Sequence, residues 1–190
     1  ATWEAPVDND YQPLTYSYGD KPYISIKPND LFMAGVKFSE EKIRGLDGYK
    51  IKTFRCYPTC RGIFTFILYR NDEVICEAEI KNLTVNAWNE IPVPEDITID
   101  SKSEYLLAVD VFDPEPGEKV LGVEEGMPYT YVSDLFSQDG GTTWGSLTIE
   151  AGTHGNWMIG MTISDTAGEP FDVDGYDVLV DGKKVNDELV

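Results

Sequence analysis

The chain reads as a succession of short runs in which apolar and polar positions alternate. YKIKTFRCY (49–57) places Tyr49, Ile51, Thr53 and Arg55 on one side, the period-two pattern of a half-buried strand. GIFTFILYR and EVICEAEI flank Asn71-Asp72, and two β-rich runs joined by two turn-formers predict a tight hairpin. Its first arm is apolar on both faces, so one face belongs to the core and the other is expected to be covered. WNEIPV and DITI follow, broken by Pro92 and Pro94. Proline cannot donate to a strand ladder, so this segment is expected at an edge or where the chain crosses between sheets. EYLLAVDVF is the clearest strand, with Leu107, Val109 and Val111 on one face and Leu106, Ala108 and Asp110 on the other. YTYVSDLFS predicts a further strand and WGSLTIE its return arm; NWMIGMTIS closes the set, with Trp157, Ile159, Met161 and Ile163 on one face. Only SEEKIRGL has helical character, for one or two turns. Ser39 can cap it, but the residue three positions on is Lys42, which leaves no capping box.

Many short strands, few helices and long irregular connections predict an all-β fold, a jelly-roll β-sandwich with mostly antiparallel strands. No internal repeat is present, so a β-propeller is not expected. The two ends read differently. Residues 1–20 carry Trp3, Pro6 and Pro13 among polar and aromatic residues, and are read as a strand and linker from a flanking module. Residues 21–165 form the sandwich. Residues 166–190 open on TAGEP, and then Tyr176, Val178 and Val180 alternate up to Asp181-Gly182, a hairpin signal. They are read as a linker and the first hairpin of an incomplete further module.

Composition narrows the function. The 190 residues carry 34 acidic and 15 basic side chains, a formal net charge of −19. Such a surface repels phosphate backbones and anionic bilayers, which excludes nucleic acid as a partner. It also offers many oxygen ligands to Ca²⁺. No apolar run approaches membrane-spanning length, so membrane insertion is not expected. Cys56, Cys60 and Cys76 are an odd set, not a disulfide framework. Cys56 and Cys60 are close enough in sequence to pair across a loop, and Cys76 reads as a buried small hydrophobe.

The most specific local signal is SQDGGTTW (137–144), which fits the spacing S-x-D-x-G-x-x-W of the Asp-box found in sialidases and other propellers. A sialidase needs an arginine cluster and a carboxylate-activated tyrosine. Here Arg44, Arg55, Arg61 and Arg70 all come early, and the motif occurs once. His154 is the single histidine, between glycines in GTHGNW, and no G-x-S-x-G elbow accompanies it. An enzyme is not expected. The motif is read as a structural turn: Asp139 accepts nearby backbone N–H groups, Gly141 and its neighbour supply special backbone angles, Ser137 holds the loop, and Trp144 folds back over it.

The order FSEEKIRGLDGYKIKTFRCY, WNEIPV, ITIDSKSEYLLAVDV, DGGTTWGSL and GNWMIGMTI resembles the cleaved-adhesin, haemagglutinin-type domains of gingipain-like peptidases and of large Bacteroidetes surface proteins. The likeness covers roughly 30–165. It implies a non-catalytic, exported jelly roll, often with structural Ca²⁺. TWEAP and GYDVLVDGKKV are similar to strands of a fibronectin type III-like module, which implies that the jelly roll is inserted between two parts of one. The nearest acidic loop is FDVDGYD, with Asp172 and Asp174, and it lacks the EF-hand Glu at loop position 12.

The function these observations imply is a non-catalytic extracellular adhesion or binding module of a larger bacterial surface or secreted protein. Its partners would be the rest of a multidomain chain and a host protein or glycan. The alternative is a carbohydrate-binding module that targets an attached enzyme to glycans. Flat aromatic faces stack on sugar rings, so Trp88, Tyr129, Tyr131 and Trp144 are the candidate ligand residues. Each has a competing structural reading: Trp144 packs under its own hairpin, and Trp88 follows a turn and reads as either core or edge. Trp157 is expected in the core.

Overall fold

A computed structural model describes residues 11–22, 24–26, 33–112, 120–125, 131–165, 179–180 and 183–184. The strands are β1 (Gln12–Thr15), β2 (Ile24–Ile26), β3 (Met33–Phe38), β4 (Lys50–Cys56), β5 (Ile63–Arg70), β6 (Glu73–Ile80), β7 (Asn89–Thr98) and β8 (Tyr105–Phe112). They continue with β9 (Leu121–Glu124), β10 (Leu135–Ser137), β11 (Gly145–Ser146), β12 (Asn156–Trp157), β13 (Ile159–Ser164), β14 (Leu179–Val180) and β15 (Lys183–Lys184). A short helix α1 (Leu147–Ala151) follows β11.

Two sheets make the sandwich, one in the order β1-β13-β4-β7 and one in the order β11-β10-β3-β8-β5-β6, with a smaller sheet β12-β9-β2 beside them. Every pairing of described strands is antiparallel. Strands distant in sequence lie side by side, as in a jelly roll and unlike a meander. The core fills the space between the sheets, with Val36, Phe38, Phe66, Leu68 and Leu107 on one side and Ile51, Phe54, Met161 and Ile163 on the other, all buried. Phe54 of β4 stacks on Phe66 of β5 across the gap, at 5.7 Å between centroids and 11° between planes. Each such side chain contributes about 1.5–3 kcal/mol on burial.

The β5–β6 hairpin forms where the alternation predicts it. Asn71 and Asp72 take φ of 50° and 66°, the left-handed pair of a type I′ turn. Asn71 also accepts the Glu104 N–H at 2.9 Å and donates to Ser103 Oγ at 3.2 Å, which fastens the turn to the start of β8. The second face of β5 is half-covered: Ile63, Thr65, Ile67 and Tyr69 are each partly buried.

Three local expectations change, and that for the proline-bearing strand holds. In β4 the simple alternation fails, because the register shifts between Ile51 and Thr53. The irregularity at Lys52 turns Ile51, Phe54 and Cys56 all inward, as a bulge does. SEEKIRGL forms turns and no helix; Ile43 donates to Ser39 O at 3.1 Å and Ser39 Oγ accepts from Lys42 N at 3.4 Å. β7 runs unbroken through Pro92 and Pro94 at a sheet edge. Its residues 93–96 stand opposite Lys52 without ladder partners and reach β6, where Cys76 contacts the Glu95 backbone; edge and crossing thus occur in the same strand. Finally, Gln12–Thr15 pairs with β13 and Leu14 lies in the core, so residues expected in a flanking linker belong to the sandwich.

Leu179 pairs with Lys184 and Val180 with Lys183, antiparallel. The cysteines resolve a point that the sequence leaves open. Cys56, Cys60 and Cys76 are all buried and none is in a disulfide, and burial raises the Cys56 thiol pKa far above its ordinary value, as low-dielectric surroundings must.

Candidate functional site

The turn after β10 is held by its own side chains. Ser137 is buried; its hydroxyl donates to Asp139 Oδ1 at 2.8 Å and accepts from Gly141 N at 2.8 Å. Asp139 Oδ1 accepts the Thr143 N–H at 2.8 Å and Oδ2 accepts the Thr143 hydroxyl at 2.7 Å. Gly140 and Gly141 take φ of 71° and 87°, a region that disfavours residues with a Cβ. Trp144 Nε1 then donates to Gly141 O at 3.1 Å. Although Asp139 is exposed, its carboxylate is turned into the loop.

These donors, the Thr143 N–H first, then the Thr143 and Ser137 hydroxyls, hold the Asp139 pKa down to about 2. A folded-state pKa below the unfolded one stabilises fully above the unfolded value and loses that contribution as pH falls through the folded one. The turn should therefore stay closed down to about pH 4 and open between there and about pH 2. The Thr143 amide resonance followed through an acid titration checks this. A midpoint at the ordinary aspartate value would show that the bonds do not form in solution.

The turn lies against the outer face of the six-stranded sheet. A Cβ placed on Gly141 would stand 3.2 Å from Tyr69 Oη and 3.5 Å from Met33 Sδ. The benzene ring of Trp144 sits over Gly35 of β3, where an added Cβ would stand 2.7 Å from Cζ3 and 3.1 Å from Leu106 Cδ1. The bare backbone of Gly35 is thus the seat of the indole.

The hairpin arms are short, Leu135–Phe136 on Ser146–Gly145. The return arm WGSLTIE, expected as a strand, becomes α1 after two residues. Ser146 is its N-cap and accepts from Ile149 N, and Gly152 closes it in the left-handed region at φ 65°. Buried Asp134 fixes the switch: its Oδ2 accepts from Ser146 Oγ at 2.8 Å and from Thr148 N at 2.9 Å, satisfying donors that a helix start leaves open.

The helix brings Glu150 back to the motif. Its carboxylate lies directly on Gly145, where any Cβ would collide with it. Phe136, Gln138, Thr143, Trp144, Gly145 and Glu150 line a solvent-open hollow of about 210 Å³. Of these, only Trp144 is among the predicted ligand residues. Phe136, Gln138 and Glu150 escaped the sequence reading; Ser146 as a cap and Gly152 as a stop are the signals that would have placed Glu150 on a helix.

The other candidates do not join this hollow. Trp88 is half-buried near the end of β4; its Nε1 donates to Gly19 O at 2.8 Å, its ring meets Tyr57 edge-on at 6.0 Å, and the Arg55 guanidinium stands 4.8 Å over it. Tyr131 is exposed but lies in a bend with φ of 53°, not in the expected strand, because a side chain at that φ cannot continue an extended ladder. Tyr129, Asp172, Asp174 and Trp3 lie outside the described residues. Trp157 is fully buried, and His154 is exposed on the loop between α1 and β12. Among the described residues no group of three or more His, Cys, Asp or Glu is placed to hold a metal ion, and no helix is long and apolar enough to cross a membrane.

No protein-family profile matches the chain, and no curated protein matches it. Solved structures do. One contains the cysteine protease and lectin-like domains of Cwp84, a surface-layer-associated protein of Clostridium difficile: 10% identity, TM-score 0.53, covering 73% of this chain and 33% of that one. Another is the clostridial cysteine protease Cwp84 after propeptide cleavage, at 12% identity and TM-score 0.60, covering 83% of this chain and 41% of that one. The chain thus spans between a third and two-fifths of the solved chains it matches. At such identity the likeness is one of fold.

Proposed function

We propose that this chain is a non-catalytic binding module within a larger exported bacterial surface or secreted protein, one that holds a ligand without transforming it. The observation that carries the reading is the fold likeness to a surface-layer-associated protein in which cysteine protease and lectin-like domains share a chain. A cysteine protease works through an accessible, low-pKa thiolate. The thiols here are buried in the core, and that of Cys56 is shifted the opposite way. The sandwich therefore suits the lectin-like part of such a protein. Kinship with the cleaved-adhesin domains of Bacteroidetes, and flanking pieces of a fibronectin type III-like module at 1–6 and 175–190, remain part of this proposal and rest on the sequence resemblance.

Binding of the chain to arrays of glycans and of bacterial and host surface proteins tests it. At least one reproducible partner is expected, released unchanged. Absence of any partner on both arrays, or turnover of a bound glycan, would sink the reading. A carbohydrate ligand is favoured over a protein ligand by one feature, the hollow in which an indole, a phenyl ring, an amide and a carboxylate converge.

A further inference from the structure

We infer that the hollow beside the SQDGGTTW turn is a saccharide subsite, and that it takes a neutral or amino-bearing pyranose residue and rejects acidic sugars. This rests on the binding-module reading and goes beyond it in naming the site, the sugar class and the residue that selects.

The size comes first. At about 210 Å³ the hollow is smaller than the ~300–1,000 Å³ of sites for drug-sized ligands, which leaves room for a single sugar ring with its neighbours in solvent. The lining is predominantly polar, as suits a ligand rich in hydroxyl groups. Gln138 and Thr143 supply both donors and acceptors and Glu150 supplies acceptors, while Trp144 and Phe136 add a small apolar margin.

The platform is also preorganised. Trp144 is held on one side by its seat over Gly35 and at its Nε1 by Gly141 O, so little rotamer freedom is left to lose on binding. Glu150 is brought next to Gly145 by α1.

The charge decides the class. Glu150 is the one ionisable group lining the hollow, without Lys, Arg or His, on a chain of net charge −19. A sialate or uronate carboxylate would meet a like charge at contact distance and a repulsive field on approach. An ammonium at the same position would gain a charge-assisted hydrogen bond to Glu150 and a cation–π contact with the indole. The motif shared with sialidases therefore frames a site of opposite preference.

The test titrates the full 190-residue chain with a glucosamine tetramer, cellotetraose and sialyllactose, while the indole N–H resonances of the tryptophans are followed by NMR. Trp144→Phe identifies the Trp144 signal. The first two sugars should move that signal, and sialyllactose should not. Glu150→Gln should weaken the glucosamine tetramer about tenfold, the scale of one charge-assisted hydrogen bond, with cellotetraose changed much less. Glu150→Lys should admit sialyllactose. These rim variants leave the turn intact, so the outcome does not depend on a Trp144 variant folding.

Binding of sialyllactose as tightly as the glucosamine tetramer would overturn the inference, as would movement of the Trp88 signal in place of Trp144, or indifference to Glu150→Gln. Absence of binding by all three sugars would also remove the site. If a protein partner is then found on the arrays, only the sugar site falls; if none is found, the module reading falls with it.

Discussion

Trp157→Ala should destabilise the sandwich by about 4 kcal/mol, the range of ~3–5 kcal/mol seen when a large aromatic is deleted from a core. Trp157 is fully buried, and its bonds bind separate parts of the sandwich. Its Nε1 donates to Leu135 O at 2.7 Å and its backbone N–H to Ser133 O at 2.9 Å, so β12 is tied to the strand that leads into the SQDGGTTW turn. Deleting the ring opens a cavity and leaves the Leu135 carbonyl without its indole donor. Trp157→Phe keeps most of the buried area and loses the N–H, so it should cost only about 1–2 kcal/mol. Domains of this kind are stable by about 5–15 kcal/mol in all, and at ~2–4 °C per kcal/mol the alanine variant should melt about 8–16 °C lower. Urea and thermal unfolding of the three proteins decide it. Equal losses for Phe and Ala would mean that the hydrogen bond, not the cavity, carries the effect.

The residues that made the fold legible are those whose partners are implied by a simple period. β8 and the β5–β6 hairpin follow from alternation and from Asn71-Asp72, since side-chain period and turn chemistry act within a few residues. The SQDGGTTW turn is legible for the same reason: Ser137, Asp139, Gly141, Thr143 and Trp144 bond one another. What stayed hidden depends on contacts far along the chain. The bulge at Lys52 follows from how β4 matches the edge strand β7, which no period in β4 announces. α1 looks like a strand in sequence and becomes a helix because Asp134, twelve residues before Ser146, caps its first turn. Glu150 enters the hollow only through that helix, so a reading that took WGSLTIE as a strand could find the aromatic half of the site and not the charged half.

Gly35→Val should have the second-largest effect and the more informative pattern. The substitution asks nothing unusual of the backbone, since Gly35 is an ordinary strand position in β3 and valine favours strands. Its cost comes from the side chain, which meets the Trp144 ring and Leu106. Overpacking of this kind costs about 1–3 kcal/mol, and here the element that can yield is the turn. The expected result is a loss of about 2 kcal/mol, a red-shifted Trp144 emission as the indole leaves its seat, and loss of whatever the hollow binds. In a Trp144→Ala background the nearer obstacle is gone and only the Leu106 methyl at 3.1 Å has to shift, so the same valine should cost much less, a coupling of more than about 1 kcal/mol between residues over a hundred positions apart. Gly160→Ala is the contrast. A Cβ there stands 2.8 Å from the backbone oxygen of Leu14, so no side-chain deletion elsewhere can relieve it. If Gly35→Val and Trp144→Ala prove additive, the turn stands free of the sheet and the indole is not held for a ligand. If they couple as expected, the glycine of β3 is the seat that holds the tryptophan of the motif against the sheet.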